Sequence, residues 1–194
     1  MIVGTYDIKN LCILADRNNV HKAVQSMFGC QRAEHNVLYM VSNDGHMIIQ
    51  SDVIPGPSDD LRVRHSKDRT EELNSIKNND LVKIHTIVEP VKKVRSPGKR
   101  LGMRIALKSE DDRRQWVAGK LSDAGTIIAI VEQGRSRVAV TKDGKKHAVS
   151  LYGYDIVMKV KDAEAFKRIV QKGVGPSKAY GAGMLLLMGV QHAE

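Results

Sequence analysis

Val20, Ala23, Val24, Met27 and Phe28 recur at i, i+3, i+4, i+7 and i+8, the spacing of a helix with one buried face. Such a face needs a partner layer, and strand-like sequence lies on both sides of it. Upstream, residues 2–14 read as a first strand, and Asp16, Asn18 and Asn19 each offer a cap for the helix. Downstream, Gly29 stops the helix, and residues 36–41 and 46–51 flank Asn43-Asp44-Gly45, a strong hairpin signal. Pro55-Gly56-Pro57 opens a polar, charged stretch that reads as loops and a short helix as far as Asp80, and Leu81–Val88 returns to strand. This order, β-α-β-β and then another strand, is that of a ferredoxin-like (RRM-like) unit.

The second half repeats it. Pro90 to Gly98 reads as a linker and Leu101–Leu107 as a strand. Ser109-Glu-Asp-Asp112 begins a helix with a capping box and acids in its first turn. That helix runs through Trp116, Val117 and Leu121, with Trp116 expected in the core. Thr126–Val131, Val138–Thr141 and Ala148–Val160 are strand candidates, joined by the turn at residues 142–146. Asp162 caps a last helix with Ala163, Phe166, Ile169 and Val170 on one face, and Met184–Met188 is a final buried strand. The expected class is α+β: two tandem ferredoxin-like domains, at residues 1–90 and 91–194, each an antiparallel sheet with helices on one face. A chain of 194 residues suits two such small domains.

Charge separates the halves. Residues 1–91 carry a net −2 and residues 92–194 a net +11, within a total of +9. Seven basic residues and no acid lie between Lys92 and Lys108. They fit either a solvated loop or a surface that follows a phosphate backbone; the imbalance between halves favours a binding face. Aromatic residues are only 4% of the chain, too few for a platform that stacks unpaired bases, so the phosphates of a duplex or hairpin suit it better. Cys12 and Cys30 form no C-x-x-C pair and no metal-ligand cluster stands out, so neither a disulfide framework nor a metal or other cofactor is expected. The longest apolar run, Gly183–Val190, is far below the roughly 20 residues of a membrane span. No membrane partner and a cytoplasmic location are expected.

Gly173, Gly175, Gly181 and Gly183 place four glycines in eleven residues, around Lys178. The segment leaves a helix and enters a strand, the reverse of a Rossmann turn, and it has no Gly-Lys-Ser/Thr of a Walker loop. Taken alone, it is a tight connection whose glycines admit positive φ and close backbone approach.

Three blocks in order carry a resemblance. They are His21-Lys-Ala-Val-Gln-Ser-Met-Phe28, Lys99-Arg-Leu-Gly-Met-Arg-Ile-Ala-Leu-Lys108 followed by the Trp116 helix, and Gly173-Val-Gly-Pro-Ser-Lys-Ala-Tyr-Gly-Ala-Gly-Met-Leu185. Together they make the chain similar to the CRISPR-associated RAMP proteins, specifically the CasE-type endoribonucleases of type I-E systems; residues 52–80 match poorly. The resemblance implies metal-free cleavage of precursor CRISPR RNA at the base of a repeat hairpin. The 2′-hydroxyl attacks the adjacent phosphate, and the product stays bound within the multisubunit Cascade complex. It implies His21 as the catalytic histidine, near a helix N-terminus whose dipole favours the neutral imidazole. By position alone, His21 is an ordinary surface histidine. Lys145 or Lys146 is implied at the scissile phosphate, against the alternative of a solvated turn, and His147 is the rival histidine. His35, His46, His65, His85 and His192 have no matching context. The implied RNA contacts are Lys92, Lys93, Arg95, Lys99, Arg100, Arg104, Arg135, Arg137 and Lys178. The family often carries a tyrosine three residues before the histidine, where this chain has Asn18; Tyr6 is the candidate substitute. Two other readings stand beside this one: a non-catalytic RNA-hairpin-binding subunit, and a basic structural protein of a ribonucleoprotein.

Overall fold

The computed structural model describes residues 1–29, 34–42, 44–94 and 103–193. The first sheet has strands β1 (Ile2–Ile8), β2 (Leu38–Val41), β3 (His46–Ser51) and β4 (Leu61–Asp68), in the order β2-β3-β1-β4. Every neighbouring pair is antiparallel. Helix α1 (Arg17–Ser26) covers one face, and the expected stripe from Val20 to Phe28 is buried there with Tyr6, Tyr39, Met47 and Ile49. The second sheet joins β5 (Leu81–Val88), β8 (Gly125–Lys142), β9 (Lys145–Val160) and β10 (Leu185–Gln191), in the order β10-β5-β9-β8. Helices α3 (Glu110–Leu121) and α4 (Ala163–Lys172) cover one face of it, around Tyr154, Ile156 and Phe166. Both orders are ferredoxin-like, as expected. The uncovered faces of the two sheets meet through Leu38 and Met40 of one and Met184 with Ile87 and Leu186 of the other.

Several expected elements fall differently. The first strand ends at Ile8, because Asn10 turns the chain into a 3-10 segment, Leu11–Ala15, by accepting the Cys12 N–H. The stretch from Pro55 to Asp80 was expected to be loops and a short helix. It holds that helix, α2 (Thr70–Asn74), but also the strand β4. β4 is an edge strand exposed at every residue after Leu61, so it lacks the apolar alternation that marks a half-buried strand, and its charges protect the edge. β5 was expected to close the first unit, but it pairs with β9 and β10; the sheets therefore divide between Asp68 and Leu81 and not at residue 90. Of the strand expected at 101–107, the described residues form β7 (Met103–Ala106), which pairs with β6 (Val91–Val94) in a separate hairpin outside both sheets; residues 101 and 102 lie outside the described ones. The candidates at 126–131 and 138–141 form one strand, β8, bent by register shifts at Ile127/Ala129 and Glu132/Gly134. Asp143 and Gly144, with φ of 51° and 71°, make the two-residue turn to β9.

Arg113 fastens α3 to β8. It is buried, and its guanidinium donates to both carboxylate oxygens of Glu132 at 3.0 and 2.7 Å and to the Lys108 carbonyl at 2.6 Å. The guanidinium also stacks over Tyr152, and the Tyr154 hydroxyl donates to Glu132. Burial alone raises the Glu132 pKa, but Arg113 and Tyr154 together hold it below the ordinary value. Arg113→Ala leaves Glu132 buried without its cation, which costs about 3–5 kcal/mol. Urea unfolding is expected to show that loss, and Arg113→Lys is expected to recover only part of it because an ammonium lacks the two-pronged geometry.

Candidate active site

The N-terminus of α1 packs on the free edge of β8 and on the short turn Lys178–Tyr180 of the glycine segment. One side chain makes the join. Asp16 caps α1 by accepting the Asn18 N–H at 2.8 Å, and the same Oδ1 accepts the Thr141 N–H of β8 at 3.1 Å. Hydrogen bonding from Thr141 chiefly, then from the Asn18 backbone, with attraction to Lys146, keeps the Asp16 carboxyl below its usual pKa against a smaller burial penalty.

His21, half-buried, lies in the second turn of α1, carried by the helix that Asp16 caps. Lys146 pairs with Thr141 in the β8–β9 register, which places it at the Asp16 contact. Lys145 pairs with Lys142, and because strand side chains alternate it lies on the opposite face from Lys146. His147 shares the Lys145 face, and its ring meets the Tyr180 ring edge-on at 6.4 Å. The junction therefore sets Lys146 at the Asp16 contact and turns the face of Lys145 and His147 toward the glycine segment, beside the helix that carries His21. Tyr6 is not a substitute for the missing tyrosine: it is buried in the first core, and burial raises its pKa. Asn18, the second residue of α1, donates its backbone N–H to the Asp16 cap.

Five positive φ values close the glycine segment into a compact loop, at Gly173, Gly175, Ser177, Gly181 and Gly183. A Cβ on Gly183 would stand 2.3 Å from the Val174 carbonyl oxygen, so the hydrogen bond from Val174 N–H to the Gly183 carbonyl requires glycine there. Tyr39, fully buried, donates its hydroxyl to the Ala179 carbonyl at 2.6 Å and ties the loop to the first sheet. Trp116 does not sit deep in the core; its half-buried ring covers Gly175 and the Lys120 ammonium stands over it at 5.4 Å. Lys178, expected to face RNA, donates to the Lys172 carbonyl at the end of α4, at 2.6 Å.

The other candidate RNA contacts lie on exposed strands. Arg135 and Arg137 project from one side of β8, Arg135 donating to Ser150 at 3.1 Å. Lys92, Lys93 and Arg104 are exposed on the β6–β7 hairpin, where Lys93 lies directly opposite Arg104. Like charges in that register repel, and a bound polyanion relieves the repulsion. Arg95, Lys99 and Arg100 lie outside the described residues, as does Cys30; Cys12 is a free, exposed thiol. Among the described residues, His46, His85 and His192 each pair with a carboxylate, Asp7, Asp155 and Asp80 respectively. Asp16 was legible as a cap but not as the link to β8, and nothing in the sequence marked Tyr39 as the anchor of the loop.

The sequence matches the CRISPR-associated protein family over residues 8–188. The chain belongs to that family. Within it, the chain aligns at 29% identity over 104 residues with the CRISPR system Cascade subunit CasE of Escherichia coli K12; the match covers 54% of this chain, which thus spans about half of that relative, 52%. The fold superposes on Escherichia coli K-12 Cas6e with a TM-score of 0.79, at 22% identity, covering 96% of this chain and 98% of that one. It superposes on the CRISPR endoribonuclease Cse3 bound to a 19 nt RNA with a TM-score of 0.83, at 17% identity, covering 97% and 100%. The tandem ferredoxin-like arrangement of this CRISPR-associated protein is thus shared along nearly the whole chain.

If Asp16 holds the junction, Asp16→Ala is expected to lower stability by about 1–2 kcal/mol at pH 7, in urea titrations. Asp16→Asn, which keeps a capping oxygen without the charge, is expected to lose less. The folded-state pKa of Asp16 is lowered. Its carboxylate therefore stabilises the fold above the unfolded-state pKa, and that contribution disappears as pH falls through the lower folded-state value. The difference between wild type and Asp16→Ala is expected to shrink over that acidic range.

Proposed function

We propose that this CRISPR-associated protein is a metal-independent endoribonuclease that cuts precursor CRISPR RNA at the base of its repeat hairpin. The ribose 2′-hydroxyl attacks the adjacent phosphorus while the bond from phosphorus to the 5′-oxygen breaks. The products are a 2′,3′-cyclic phosphate and a 5′-hydroxyl. His21 moves the proton, taking it from the 2′-hydroxyl or giving it to the leaving 5′-oxygen. Lys146 supplies positive charge to the phosphorane, and Lys145, on the opposite face of β9, is the weaker candidate for that role. Arg135, Arg137 and the β6–β7 hairpin hold the hairpin's phosphates, and the protein keeps its product as a Cascade subunit.

The observation that supports this reading is the junction itself: the helix that carries His21, the strand turn that carries Lys146 and the glycine loop pack against one another at the Asp16–Thr141 bond. The family, the Cascade name of the Escherichia coli relative and the RNA held by Cse3 support the substrate class. Asn18 favours a second reading, a non-catalytic subunit that binds the hairpin, because an amide cannot do the proton and charge work of a phenol.

Incubation with the cognate repeat RNA in excess EDTA tests both. The expected result is cleavage with a cyclic phosphate terminus, slowed about 10²–10⁴-fold in His21→Ala. Cleavage at the wild-type rate in His21→Ala would remove His21 from the mechanism. Tight binding with no cleavage, with or without EDTA, would establish the second reading.

A further inference from the structure

Arg17 is the first residue of α1, one position after its cap. A cation is poorly placed there, because the helix dipole presents positive charge at its N-terminus. Burial also disfavours its charged form and lowers the guanidinium pKa. Nε and Nη1 are both buried, and neither has a hydrogen-bond acceptor. Asp16, the neighbouring carboxylate, turns Oδ1 toward Asn18 and Thr141. Arg113 illustrates the opposite case: a buried guanidinium with a structural task, bonded to Glu132 through two nitrogens and to the Lys108 carbonyl through a third contact.

An unpartnered buried donor is unfavourable in the free protein, so an acceptor arriving from outside displaces no protein bond. The position of Arg17 suggests that acceptor. It stands four residues before His21, which puts both on one side of α1. Its charge interacts with Tyr39, whose hydroxyl holds the Ala179 carbonyl, so the guanidinium lies toward the glycine loop. A guanidinium offers two parallel N–H groups to two oxygens of one phosphate.

We propose that Arg17 is a further phosphate-binding residue of the site, turning its guanidinium to an RNA phosphodiester beside His21. This rests on the endoribonuclease reading above. The free protein keeps Nε and Nη1 buried without acceptors, and RNA supplies the missing ones.

The test uses the full chain and a repeat hairpin RNA made uncleavable by 2′-deoxy substitution at the cut site. Binding is measured across salt concentrations for wild type, Arg17→Met and Arg17→Lys. Arg17→Met is expected to weaken binding about tenfold and to lower the slope of log affinity against log salt by roughly one. Arg17→Lys is expected to keep the slope and lose part of the affinity. In urea, free Arg17→Met is expected to be at least as stable as wild type, since it loses no hydrogen bond. Lower stability of that variant with an unchanged salt slope would make Arg17 structural and overturn the proposal. Inorganic phosphate, added to the free proteins, separates this outcome from failure of the function itself. If wild type binds no hairpin RNA, the endoribonuclease reading falls. Arg17 then stands if phosphate raises the melting temperature of wild type more than that of Arg17→Met, and falls if the two respond alike.

Discussion

The arrangement of this molecule depends on one carboxylate with two obligations. Asp16 satisfies an N–H at the start of α1 and an N–H on the outer edge of β8 with a single oxygen. The first obligation sets where the helix begins, and so where His21 lies along it. The second attaches that helix to the other sheet, close to Lys146. Neither main hydrophobic core achieves this, because α1 buries its face in the first core alone. The apolar contact between the sheets, around Met40 and Met184, brings the units together but does not fix the rotation of α1.

Much of this was legible in the sequence because much of it is periodic. The α1 stripe, the helix from Ser109 and the Phe166 helix each bury one face, and burial at a fixed spacing leaves a mark in the chain. β4 left none: an edge strand with charges along its whole length has no buried side to display. The assignment of β5 to the wrong sheet has a different origin. Val82, Ile84 and Val88 read as a strand in either unit, and only long-range pairing with β9 and β10 decides between them. The same limit applies to the site. His21 was visible through its family block and the Lys145-Lys146 pair through what the resemblance implies, whereas the face on which each lysine lies depends on a register set by Asp143-Gly144.

The charges divide along similar lines. In the first unit, Arg62 donates to Asp7 at 2.9 Å, and Arg64 lies 2.8 Å from the His46 ring nitrogen. Those cations are already engaged within the protein. In the second unit, Lys92, Lys93 and Arg104 share a small hairpin with no acidic residue in either strand. Net charge by half-chain thus understates the contrast between these strands of the first unit and the hairpin of the second, since Arg62 and Arg64 are matched locally. The field offered to a polyanion comes mainly from the second unit.

The β8–β9 ribbon is longer than the sheet that supports it. β5 reaches along β9 only from Tyr152 to Lys159, while the two long strands continue to pair with each other as far as Lys142 and Lys145. Everything beyond Tyr152 is a projecting arm, anchored by Val140, Val149 and Leu151 against the glycine loop and by Asp16 at its edge. Of its outward positions, Arg135 stands over the Tyr152 ring at the root of the arm, and Arg137 is exposed beyond it. Such an arm can exchange its surface residues while the two folded units that carry it remain as they are.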